Sequence, residues 1–90
     1  EYASTVQFLA SVEWGEGRRA EAEKLAREAL AVFRRVPGDP RLCHALTFLA
    51  GCSLAMKKPD DARRFADESI ALARRRLDLA ATVQAEQQQL

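Results

Sequence analysis

Ninety residues suffice for one domain, and a chain of this size buries only about 60–65% of its unfolded surface, so its stability margin is modest. Fourteen basic and 13 acidic side chains leave a formal net charge of +1, which argues against the basic excess of a nucleic-acid binder. The longest uncharged run, Leu42–Met56, is interrupted by His44, Thr47, Gly51 and Ser53 and falls short of the roughly 18 apolar residues of a membrane span.

Taken in chain order, every long segment has helical periodicity. The first helix is predicted over Tyr2–Trp14, with Val6, Leu9, Ala10 and Trp14 on one stripe and Phe8 and Val12 beside it. Gly15-Glu16-Gly17 ends it, because glycine tolerates the left-handed backbone that closes a helix. The second runs over Arg19–Arg35, with Ala22, Leu25, Ala26, Ala29, Leu30 and Phe33 at the spacing of a buried stripe. Val36-Pro37-Gly38-Asp39-Pro40 stops it, and Asp39 with Pro40 caps a third helix over Pro40–Met56. That helix is apolar nearly all round, which predicts cover on more than one side.

Lys57-Lys58-Pro59 breaks the chain again, and Asp60-Asp61 start a fourth helix with Ala62, Phe65, Ala66, Ser69, Ile70 and Ala73 facing inward. No Gly or Pro follows Arg76. The fourth helix therefore either continues or gives way to a C-terminal helix near Asp78, and Leu77, Ala80, Ala81 and Val83 keep an apolar face over about 77–90. Arg34-Arg35 and Arg74-Arg75-Arg76 are expected at helix ends, where cations are favoured.

The chain nearly repeats itself at a spacing of forty residues. Phe8, Leu9, Ala10, Ala22, Ala26, Glu28, Ala31, Arg34 and Arg35 all recur forty positions later, nine identities between residues 1–36 and 41–76. A period in this range indicates stacked repeats, each burying its apolar face against a neighbour. The recurrent alanines suit close helix crossings. The expected fold is all-α: a stack of two helical hairpins, one over about 3–36 and one over about 41–76, followed by the C-terminal helix or extension. Two units are fewer than stacked repeats generally need. A beginning at Glu1-Tyr2 and a Gln87-Gln88-Gln89 tail suit a piece excised from a longer array.

These residues resemble the tetratricopeptide repeat family. Leu9-Ala10, Gly17, Ala22 and Ala29-Leu30 follow the spacing of its small and large signature positions, and Leu49-Ala50, Ala62 and Ser69-Ile70 do so again. The forty-residue period resembles the longer variants of kinesin light chains and of maltose-activator-type bacterial regulators. Glu13 and Ser53 replace the family's late aromatic in the first helix. Lys57 replaces the interhelical glycine in the second unit, so that turn is expected to differ.

The resemblance implies a right-handed superhelix that binds a protein or peptide partner, without catalysis or cofactor, in a groove lined by the first helix of each unit. By position that groove presents Ser4, Gln7, Ser11 and Trp14, then His44, Thr47, Gly51 and Leu54. Gln7 and Ser11 stand where some members carry a lysine and an asparagine for a peptide carboxylate, which argues against a chaperone-tail clamp. Trp14 is readable as core or as groove.

Other chemistry finds little support. Cys43 and His44 are adjacent on a helix and diverge by about 100°, too far apart for a thiol–base pair. Cys43 and Cys52 point to opposite faces roughly 13 Å apart along the axis, so no bridge is expected and a reducing cytoplasm is the default. The basic residues of 57–76 lack aromatic side chains for base stacking, which argues against nucleic acid. Two alternatives to a docking module remain: a spacer or homodimer formed through Leu77–Leu90, and the sensor arm of a bacterial transcription regulator. The alanine and arginine richness suits a GC-rich bacterial genome.

Overall fold

Four helices form two antiparallel hairpins laid side by side: α1 (Tyr2–Gly15), α2 (Arg19–Phe33), α3 (Pro40–Ala55) and α4 (Pro59–Gln88). The structure, a computed structural model, describes residues 1–36 and 38–88. Pro37, placed by the sequence in the inter-repeat stop, and Gln89 and Leu90, placed at the end of the last helix, lie outside the described residues. Helix α1 packs on α2, α3 on α4, and the hairpins meet chiefly through α2 and α3.

The core lies where alanines let backbones approach. Ala3, Val6 and Ala10 of α1, Ala26, Ala29, Leu30 and Phe33 of α2, and Leu42, Ala45, Leu46 and Leu49 of α3 form one buried cluster that Phe65 of α4 completes. Asp39 caps α3 as its sequence position predicts, its carboxylate accepting the Arg41 backbone N–H at 2.9 Å. Arg41 then pins the start of α3 to the first hairpin. Its guanidinium grips Asp39 (2.6 Å), pairs with Glu1, donates to Ser4 Oγ (2.9 Å) and covers the Phe33 ring. The same guanidinium holds the Asp39 and Glu1 carboxyls below the usual carboxylate range.

The two interhelical turns are alike, contrary to the expectation from Lys57. Gly17 has φ +85° and Lys57 has φ +62°, both left-handed. In the first turn Gly17 N–H bonds Trp14 C=O and Arg18 N–H bonds Glu13 C=O (3.0 and 2.9 Å); in the second, Lys57 bonds Leu54 and Lys58 bonds Ser53 (3.1 and 2.8 Å). Both pairs are Schellman closures. The carbonyls left open at the helix end impose the conformation on whichever residue stands there, and a lysine accepts it at a cost of about 1–2 kcal/mol. Lys57→Gly should therefore stabilise the fold by about 1 kcal/mol and raise the thermal midpoint by several degrees, measured by circular dichroism.

Helix α4 is one continuous helix of 30 residues, so the C-terminal segment extends the fourth helix and no fifth begins at Asp78. Without Gly or Pro after Arg76 nothing interrupts the backbone ladder. Arg74, Arg75 and Arg76 accordingly sit inside α4 and not at a helix end, and beyond them the described side chains are exposed. Helix α2 closes at Phe33, leaving Arg34 just past its end, where it pairs with Glu68 of α4 at 2.8 Å.

Burial differs between equivalent positions. Ala22, Ala26, Ala29 and Leu30 are buried, whereas Ala62, Ala66 and Ser69 are half-buried and Ile70 is 48% exposed. Conversely Leu49 is wholly buried while its counterpart Leu9, expected in the α1 core stripe, is 44% exposed. Each face is covered only where the other hairpin lies against it.

Candidate functional site

The residues assigned to the groove divide by hairpin. In the first, Ser4 accepts from Arg41, Gln7 is half-buried with its Oε1 enclosed and unpartnered among the described residues, and Trp14 meets Phe48 edge-on. The Trp14 and Phe48 ring centroids are 6.4 Å apart at 72°, and the Arg19 guanidinium covers the indole 5.1 Å from its centroid. Trp14 thus belongs to the seam between the hairpins, neither deep core nor open groove. Ser11 alone of these four is exposed, its hydroxyl bonded back to Gln7 C=O.

The second hairpin presents its set openly. His44, Thr47, Gly51 and Leu54 are all exposed along α3. Thr47, Gly51 and Leu54 line a cleft of about 720 Å³ whose opposite wall is α4, through Asp60, Ala62, Arg63 and Ala66. His44 lies outside that lining. Thr47 Oγ1 reaches Ser69 Oγ at 3.3 Å and so ties the two walls together.

Sequence reasoning assigned the groove to the first helices alone and left out this α4 wall. The available signal was the alanine pairing itself. Ala22 and Ala26 are wholly buried, and their counterparts Ala62 and Ala66 are half-buried along the cleft. Gly51 faces open space, and a Cβ there would meet nothing within 4 Å. A glycine inside a helix costs about 0.5–1 kcal/mol relative to alanine.

The chemistry of the site is that of a surface. Burial pushes the Cys52 thiol up to about 11, away from the reactive thiolate, and both cysteines are free, Cys43 half-buried and Cys52 buried. No helix among the described residues is long and apolar enough to cross a membrane.

Paired antiparallel helices stacked side by side, with a forty-residue sequence period and small residues at the crossings, define an α-solenoid of helical hairpins. The tetratricopeptide repeat family model matches residues 2–75, and the chain belongs to that family. Its members are generally protein–protein interaction modules and typically non-catalytic. Neither the curated proteins nor the solved structures contain a significant match to the chain.

Proposed function

We propose that the chain is a non-catalytic docking module of the cytoplasm, in a bacterial protein, that holds a partner peptide or helix against the first helices of its repeats. The observation that carries this reading is the α3/α4 cleft. Its Leu54 is the counterpart of Trp14, which Phe48 of α3 meets in the first hairpin, and small residues on both its walls, Gly51 on one and Ala62 and Ala66 on the other, suit the close approach of a helix. Ser4, Gln7, Ser11 and Trp14 would contribute beside the seam, and His44, Thr47, Gly51 and Leu54 along the open stretch.

Gly51→Arg tests this directly, because the position is open and arginine is the better helix former. A partner captured from lysate by the original chain should bind the variant at least about tenfold more weakly, a loss of about 1.4 kcal/mol. Equal capture by both chains would remove the cleft from the binding site.

A second reading draws on the far end of α4, where Leu77, Leu79 and Val83 are exposed. Pairing of two such ends would make the chain a homodimerising spacer. Leu77→Glu would then abolish a concentration-dependent rise in mass and leave cleft binding intact.

A further inference from the structure

We propose that a pocket on the seam side of α4, beyond the end of α2, binds an extended acidic segment of a partner protein. Carboxylates of that segment lie on Arg75 and Arg76, and an apolar side chain lies between Leu72 and Leu79. The site is separate from the α3/α4 cleft and does not rest on the reading of that cleft.

Helical geometry places the pocket between the hairpins. At 100° per residue, Phe65, Glu68, Leu72, Arg75, Arg76 and Leu79 fall on one stripe of α4 about 100° wide. The first half of this stripe faces the first hairpin. The Arg27 guanidinium covers the Phe65 ring at 5.3 Å, Glu68 pairs with Arg34 at 2.8 Å, and Leu72 packs on the core cluster. Helix α2 closes at Phe33, so the second half of the stripe outruns it and meets the loop before α3. There Gly38, Leu72, Arg75, Arg76 and Leu79 line a pocket of about 310 Å³. Its size is at the small end for ligand pockets and suits one or two side chains, not a helix.

The charge of the pocket is unmatched. Arg34 and Arg41, the neighbouring cations at the loop, are already paired with Glu68 and with Asp39 and Glu1. Arg75 and Arg76 form no ion pair among the described residues. The acidic groups at this end are Asp39 and Asp78. Asp39 is close enough to feel the Arg76 charge but is gripped by Arg41 at 2.6 Å, and Asp78 is exposed and outside the lining. Helix-end electrostatics do not account for these arginines either, since α4 runs on to Gln88.

Two guanidiniums on one small pocket repel until an anion lies between them, and a carboxylate accepts paired N–H bonds from such groups. The leucines decide which anion fits. They form an apolar wall that a bare phosphate leaves uncovered, and no aromatic side chain lines the pocket for a nucleic-acid base to stack upon. An acidic residue beside an apolar one satisfies both parts.

A dye-labelled, end-blocked peptide of alternating glutamate and leucine tests this by fluorescence anisotropy. The chain should bind it, and should bind the glutamine–leucine analogue at least about tenfold more weakly. Arg75→Gln with Arg76→Gln, at exposed positions, should cost as much, with an unchanged helical spectrum verifying the fold. Lys24→Gln with Arg63→Gln removes equal charge elsewhere and should change affinity by less than about twofold. Leu79→Gln should weaken binding severalfold. Gly51→Arg should leave it unchanged, so this pocket and the α3/α4 cleft stand or fall separately. Raising the ionic strength from about 0.01 to about 0.15 M should weaken the original chain more than the double arginine variant.

Absence of binding at low salt would overturn the proposal, as would equal binding of the glutamine analogue or equal losses from the two pairs of substitutions. Displacement of the peptide by an equal concentration of inorganic phosphate or of oligothymidylate would also overturn it, by assigning the arginines to a phosphate ligand.

Discussion

Ala26→Leu should lower the thermal midpoint by about 10–20 °C, the equivalent of about 2–3 kcal/mol for a chain of this length, while Ala66→Leu should change it by no more than a few degrees. The two alanines are equivalent in the repeat, and the sequence treats them alike. In the fold Ala26 has no accessible surface and belongs to the buried cluster joining the hairpins. Three additional heavy atoms there must push α2 away from its neighbours. Ala66 lines the open side of the α3/α4 cleft and is only half-buried, so a leucine side chain can turn into the cleft. Equal losses at both positions in thermal unfolding would mean that the cleft is closed and the stacking asymmetry misplaced. The same Ala66→Leu protein should bind a cleft ligand less well, separating stability from docking in a single variant.

What the sequence made legible was whatever is decided locally. Gly15-Glu16-Gly17, Asp39-Pro40 and Lys57-Lys58-Pro59 fix helix ends through backbone conformation and capping, and the ends of α1 and α3 and the starts of α2, α3 and α4 fall within two residues of those signals. The length of α4 was not decidable in this way. The segment after Arg76 contains no breaker, but its apolar side chains suit a separate packed helix as well as an exposed extension. Lys57 misled for a related reason: a residue's preference is a small energy, and the unmet carbonyls of α3 outweigh it.

The candidate site was half legible. Thr47, Gly51 and Leu54 follow from their places on the third helix, and they line the cleft. Their first-unit counterparts Gln7 and Trp14 follow from the same rule, yet the second hairpin half-covers them, because repeat position does not record which neighbour is present. The α4 wall escaped notice for the converse reason. Ala62 and Ala66 look like buried crossing residues, and only the arrangement in space places them half-buried along the cleft.

That dependence on neighbours gives the second large effect. Leu49→Ala should destabilise the chain by about 3 kcal/mol, and Leu9→Ala, at the matching position, by about 1 kcal/mol or less. Leu49 is wholly enclosed at the seam, so its removal leaves a cavity among Leu46, Ala45 and the residues of α2, added to the lost transfer energy. Leu9 is 44% exposed, and its truncation leaves a dent open to water. Urea unfolding followed by circular dichroism at low protein concentration measures both, and equal losses would show that α1 has cover on its outer face within the monomer.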